Sequence, residues 1–225
     1  MIAAGGYAHD TVGEDMELVV NLRRRAAVSG GPGRIVFVPD PVAWTEVPES
    51  LRVLGRQRDR WQRGLADVLW RHRALIGNVR HRALGLVVMP YFVIVELLGP
   101  IVEVLGLIGL VAALALGAVD VPFALFFFAA AYGFGLLLTM FTLVLEEVGA
   151  RRYEGWMDRL LMLVWAAAES LGYRQLTVLW RVRGLVNYAR GRREWGVMTR
   201  RGFAGSAAQR HEAGAAGGRT AQKIP

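Results

Sequence analysis

Ile35-Val36-Phe37-Val38 is a short, wholly apolar run, and how it is read decides the fold of the first third of the chain. Its length and its β-branched residues favour a buried parallel strand over a helix. Ser29-Gly30-Gly31-Pro32-Gly33 breaks the chain before it, and Asp40-Pro41 ends it. Upstream, Thr11-Val12-Gly13-Glu14 fits a capping box, with Thr11 as N-cap and Glu14 as the third helical residue. Leu18, Val19, Leu22 and Ala26 continue at helical spacing, and Arg23-Arg24-Arg25 suits the negative end of that helix. Downstream, Pro48 can open a second helix that runs to about His72, with a possible break at Gly55. Helix, strand, helix is the order expected of an α/β fragment over residues 1–83.

One strand cannot make a sheet, and a complete nucleotide-binding domain needs several. The sequence has no glycine-rich phosphate loop and no Asp-x-Asp pair. The expectation is therefore that Met1 begins inside a domain whose first half is missing. Its opening residues, Met1-Ile2-Ala3-Ala4-Gly5-Gly6, do not read as a signal peptide.

Composition points to a membrane. The 225 residues are 54% hydrophobic, with a mean hydropathy of +0.32, too apolar for an ordinary soluble domain. Leu84 to Leu116 carries only Glu96 and Glu103, and Pro90 and Pro100 interrupt it. Pro122 to Leu145 has no charge at all and would measure roughly 36 Å as helix, more than the hydrocarbon thickness of a bilayer. The expected organisation is a transmembrane region over 84–146, with an interfacial helix at about 86–98 and spans at about 100–118 and 122–145. The 117–121 turn has no basic residue, whereas Arg151-Arg152 follows the second span, so the positive-inside rule puts both termini in the cytoplasm. Leu160 to Trp180 is apolar but holds Glu169, Arg174 and Gln175. It is expected to be an amphipathic interfacial helix or a packed partial insertion within a helical region over 147–203. Residues 204–225 are rich in Gly, Ala, Arg and Gln, and are expected to be disordered.

A net charge of +8 and a pI near 10.7 would suit nucleic-acid binding, but the arginines flank apolar spans, where cytoplasmic loops collect them. Nucleic acid is not an expected partner. Cysteine is absent, and the four histidines lack ligand-like spacing, which argues against disulfides and a structural zinc site.

The chemistry concentrates in two places. Gln57-Arg58-Asp59-Arg60-Trp61 reads Q-x-x-R-W, and on a helix Gln57, Arg60 and Trp61 share one face. A guanidinium offers a planar fork to phosphate oxygens, and an indole offers a plate for a sugar ring. Glu14 and Asp15 open the first helix, where carboxylates suit the positive end of the dipole; capping alone would also account for them. Taken singly, the arginines could be a solvated helix face and Trp61 a core anchor.

The conjunction of a Gly13-Glu14-Asp15 helix start, preceded by Gly5-Gly6-Tyr7, then Q-x-x-R-W, then membrane spans, resembles the processive, membrane-embedded family 2 glycosyltransferases. That group includes cellulose, hyaluronan and poly-N-acetylglucosamine synthases. The resemblance covers about residues 1–203 and implies that residues 1–83 are the C-terminal part of a GT-A-like nucleotide-sugar domain. It implies inverting transfer from a nucleotide sugar to a growing polysaccharide. Asp15 would be the general base, with Glu14 beside it; Gln57 and Arg60 would lie near the diphosphate, and Trp61 against the acceptor sugar. A divalent metal, Mg or Mn, is expected for the complete enzyme, yet the two aspartate motifs that would hold uridine and the metal-bound diphosphate are missing, so no metal ligand is assigned here. Expected partners are the nucleotide sugar, the polysaccharide acceptor, membrane lipid and a separate N-terminal half. The rival reading is a non-catalytic membrane subunit or scaffold of a polysaccharide synthase complex.

Overall fold

The computed structural model describes residues 5–28, 36, 38, 46–150 and 155–192. Every regular element among them is helical. Helix α1 spans Glu14–Val28 and α2 spans Leu51–Arg71, followed by two single 3-10 turns, Arg73–Leu75 and Val79–His81. A continuous helical stretch then winds as π-helix over Leu84–Val88, one α-turn α3 at Met89–Tyr91, and π-helix again over Phe92–Leu97. After a bend at Leu98 come α4 (Gly99–Ala115), α5 (Val121–Ala150) and α6 (Trp156–Ala168). A π-wound turn at Glu169–Tyr173 leads into α7, Arg174–Ala189.

The expected α/β architecture is overturned. There is no strand among the described residues. Val36 and Val38 have no regular structure and are 73% and 61% exposed, while Ile35 and Phe37 lie outside the described residues. A strand is held by the ladder to its neighbour, and the described residues contain no second strand to supply one. β-Branched composition alone does not substitute for a partner.

The helix starts also differ in detail. The first helix begins at Glu14, so Thr11 is not its cap; the Thr11 hydroxyl accepts from the Gly13 amide at 3.2 Å in a local turn. The second begins at Leu51, capped by Ser50, whose hydroxyl accepts from the Val53 amide at 3.4 Å. It does not break at Gly55. A Cβ at Gly55 would lie 2.8 Å from the Trp180 ring, so this glycine is the seat of an indole rather than a helix breaker.

Helix α2 is buried on two opposite faces. On one side, a methyl group on Gly64 would sit 2.9 Å from the Gly13 Cα, so the entry to α1 touches α2 backbone to backbone. This crossing is pinned at its far end by His72 Nε2 and Glu17 Oε2, 2.8 Å apart, and by Arg71, whose guanidinium holds Asp10 at 2.9 Å and Asp67 at 2.8 Å. Burial works against the charged Arg71, but its bonds to Asp10 and Asp67 outweigh that and hold its pKa above the usual arginine value. On the other side α7 packs along α2, with Gly184 against the Asp59 carbonyl and Trp180 over Gly55. Val20, Val68, Leu69, Leu75, Leu84 and Met89 form the core where α1, α2 and the 84–97 stretch meet.

Two helical runs, Leu84–Ala115 and Val121–Leu145, are long and apolar enough to cross a membrane, with mean hydropathies of 2.3 and 2.0. Most of their side chains are uncovered by the rest of the protein, among them Phe126, Phe134 and Leu137. Gly117, with φ +63°, ends α4: its amide donates to Leu114 and the Ala118 amide to Ala113, closing the helix in a Schellman motif. Asp120 then caps α5 through its carboxylate, which accepts from the Phe123 amide at 2.8 Å.

The Gly13–Gly64 contact leaves no room for a side chain. Gly64→Ala is expected to lower stability by about 1–3 kcal/mol, the usual cost of overpacking. Gly106→Ala, which meets open space within α4, is expected to cost nothing. Thermal unfolding in detergent distinguishes the two, and equal midpoints would show that the crossing is not tight.

Candidate active site

Asp15 lies in the first turn of α1, exposed, with its Oδ1 accepting from the Met16 amide at 2.8 Å. It stands at the mouth of a cavity of about 480 Å³ between α1 and the start of the apolar stretch. Met16, Val19, Val20, Leu84, Val88 and Phe92 supply the apolar walls, and Arg23 is the other charged residue there. Glu14, next to Asp15, is half-buried, and its Oε2 is enclosed without a hydrogen-bond partner.

Gln57, Arg60 and Trp61 do share a face of α2, and it is the face that bears Gly64 and Val68, three to eleven residues on at helical spacing. Since Gly64 touches Gly13, the Gln57–Trp61 face and the Glu14-Asp15 helix start are brought together at one crossing. Gly64 is one helical turn from Arg60 and Trp61, and Gly13 is two residues from Asp15. The three α2 side chains do not line the cavity below Asp15. Gln57 is half-buried, Arg60 is 9% exposed, and Trp61 is 52% exposed. Arg60 is thus held away from solvent, whereas the Trp61 indole is half open to it.

Arg58 covers one side of that indole. Its guanidinium carbon sits 4.8 Å from the Trp61 ring centroid, and its Nη2 donates to the Tyr173 hydroxyl at 3.3 Å. Only the other face of Trp61 remains for a ligand. The idea that Arg58, Arg60 and Arg63 form a solvated helix face does not hold, because Arg60 and Arg63 are buried and Arg58 is half-buried.

The motif's remaining positions hold the architecture. Asp59 is 5% exposed and gathers three donors: Arg63 at 2.9 Å, Arg183 at 3.0 Å and Asn187 at 2.7 Å. Gln62 accepts from Arg181 Nε at 2.8 Å and donates to the Glu96 and Leu97 carbonyls at 3.3 and 3.4 Å. Arg181 also reaches the Glu96 carbonyl and its carboxylate, the latter at 2.9 Å. The α-helical partner of the Glu96 carbonyl would be residue 100, and Pro100 has no N–H to give, so these bonds satisfy it from outside the helix. Glu96 therefore answers a cation from α7 rather than bulk water alone. Glu103 does the same with Arg174 at 2.9 Å, and that hydrogen bond outweighs desolvation to hold the Arg174 pKa above its ordinary value. Sequence reasoning missed Asp59, Gln62, Arg181 and Arg183. The alternation of Gly55, Asp59, Gln62 and Ala66 on a second helical face was the one available signal. Two further readings of the sequence fall on undescribed side chains or residues: an ion pair of Glu146-Glu147 with Arg151 or Arg152, and a resemblance of Trp195-Gly196-Val197-Met198 to the C-terminal part of bacterial members of the same family.

Among the described residues no three His, Asp or Glu side chains gather to hold a metal ion. The metal that the resemblance implies thus has no ligand set among them.

Residues 3–143 match the family model described as Glycosyl transferase family group 2, a stretch that takes in the Glu14-Asp15 start, the Gln57–Trp61 motif, the first long apolar helix and most of the second. No curated protein and no solved structure matches the chain.

Removing the Asp59 carboxylate takes an ion-pair partner from the buried Arg63 guanidinium and another from the exposed Arg183. Asp59→Ala is expected to cost about 3–5 kcal/mol and Asp59→Asn less, because the amide keeps an acceptor for Asn187 or Arg183. Unfolding curves in detergent would show this order, and an Asp59→Ala protein as stable as the parent would contradict it.

Proposed function

Because the chain belongs to glycosyl transferase family group 2, with a nucleotide-sugar donor and an acceptor as its substrates, we propose that the α1–α2 crossing is the acceptor side of an inverting transferase that extends a polysaccharide. The observation that carries this is the backbone contact of Gly13 with Gly64, which sets the Glu14-Asp15 pair against the helix bearing Gln57, Arg60 and Trp61. In this reading the Asp15 carboxylate accepts the proton of the acceptor hydroxyl as its oxygen attacks the anomeric carbon and the nucleoside diphosphate departs. Glu14 stands beside it, with one carboxylate oxygen enclosed and unmatched by any hydrogen bond. Arg60 and Gln57 steady the diphosphate oxygens, and the open face of Trp61 carries the terminal acceptor sugar. A divalent metal would neutralise the remaining charge on the leaving group. The sequence holds no Asp-x-Asp pair, so transfer in this reading requires a donor-binding partner half.

The two apolar helices support a multi-pass arrangement in the inner (plasma) membrane, with both ends in the cytoplasm and the Asp15 cavity facing the membrane entrance at Leu84 and Val88. Reporter fusions at Asp120 and Gly202 are expected to report opposite sides; the same side for both refutes the two-crossing arrangement.

The catalytic assignment is tested in membranes that incorporate label from a UDP-sugar through this chain, co-produced with a donor-binding half. Asp15→Asn is expected to lower kcat by about 10²–10⁴-fold with donor binding intact, since the base acts only as the bond forms. Trp61→Ala is expected to raise the acceptor KM instead. Full turnover by Asp15→Asn removes the base from the mechanism, and incorporation by the chain without a partner half removes the requirement for one.

A further inference from the structure

The connector between α2 and the apolar stretch has no part in the chemistry proposed above, and the charged residues it carries are all basic. From Val68 to Val95 the chain has four Arg and two His and no acid. Arg73, Arg80 and Arg82 are exposed there. Between them stand Trp70, 63% exposed, Val79, 70% exposed, and Ile76. Arg73 folds back onto Trp70, 5.0 Å from the ring centroid, and donates to the Trp70 carbonyl at 3.1 Å, so cation and indole present one surface. The patch runs directly into Leu86 and Val87, which are exposed at the start of a helical run apolar enough for a bilayer.

We propose that this connector is a docking surface for the anionic headgroups of the membrane, with Trp70, Ile76 and Val79 dipping toward the acyl boundary and Arg73, Arg80 and Arg82 meeting lipid phosphates. Charge complementarity selects this occupant: three exposed guanidiniums with no acid nearby in sequence suit a continuous negative surface. Interleaved aromatic and aliphatic groups suit the interfacial depth at which an amphipathic tip is half wet. Continuity with the apolar helix places the patch at that depth whichever way the catalytic assignment falls. The connector is also stiff, because Asn78 caps the Val79–His81 turn by accepting from the Arg80 amide at 3.0 Å and the Gly77 amide donates to the Gly85 carbonyl at 2.8 Å. Headgroup contact is thereby transmitted to α2. Trp61 stands nine residues above Trp70 on that helix, about 14 Å along its axis, so the lipid contact sets the height of the motif over the membrane.

The test is backbone hydrogen exchange of the full chain in nanodiscs of phosphatidylcholine alone and of phosphatidylcholine mixed with phosphatidylglycerol. Amides of 73–82 are expected to exchange more slowly in the anionic discs, by about fivefold for each engaged arginine, and the difference should shrink as salt is raised. R80E/R82E should abolish the difference, while R52E/R56E, reversing exposed cations at the far end of α2, should leave it intact. Equal exchange in both discs overturns the proposal, and so does an equal loss in R52E/R56E, which would mean bulk charge rather than this patch. Protection of the same amides by a short RNA in the zwitterionic discs, equal to that from phosphatidylglycerol, would reassign the surface to nucleic acid.

Discussion

The backbone of Gly13 lies against the backbone of Gly64 with no space for a methyl group between them, and the rest of the arrangement depends on that closeness. Two helices normally keep 8–10 Å between axes because side chains intervene. Glycine on both partners removes that spacing, and it does so one turn from Trp61 and two residues from Asp15. Asp15 and Trp61 are thereby carried on two segments in direct backbone contact. The Arg71–Asp10 ion pair and the Glu17–His72 contact tie the residues on either side of Gly13 to the C-terminal end of α2, where Arg71 is also held by Asp67.

The opposite face of α2 obeys a different rule. Its buried groups are polar, and each finds a partner on α7 or on the 92–97 stretch: Asp59 with Arg183 and Asn187, Gln62 with Arg181 and the Glu96 and Leu97 carbonyls. Buried charges without partners would be costly, so the specificity of α7 for this face follows from having to satisfy all of them at once. The same helix meets both acids of the first apolar run, Glu96 through Arg181 and Glu103 through Arg174. Its C-terminal position in the chain thus belies a central position in the fold.

The common face of Gln57, Arg60 and Trp61 was legible in the sequence, because helical spacing converts directly into shared faces and needs only the 3.6-residue repeat. The two apolar runs were legible for a similar reason, since charge-free length is a one-dimensional property. What could not be read were features set by partners far along the chain. Val36 and Val38 carry strand composition but find no strand to pair with among the described residues, so the α/β expectation failed. Gly55 reads as a breaker until Trp180 is known to lie on it, and Thr11 reads as a cap although the helix starts three residues later. The Asp59 cluster was hidden because a period of 3.6 identifies a second face without saying which helix will cover it.

The distance in sequence between the two halves of the Asp59 cluster has a consequence for synthesis. Asp59 leaves the ribosome 124 residues before Arg183, and both long apolar helices lie between them. At ordinary elongation rates the far face of α2 waits roughly 6–25 s for its cover. During that interval the exposed groups are a carboxylate, a carboxamide and guanidiniums, which water solvates well, while the apolar face is already engaged by the earlier α1. The face that must wait is the one that tolerates waiting, so the nascent chain presents little for aggregation or proteolysis to seize until the last helix arrives.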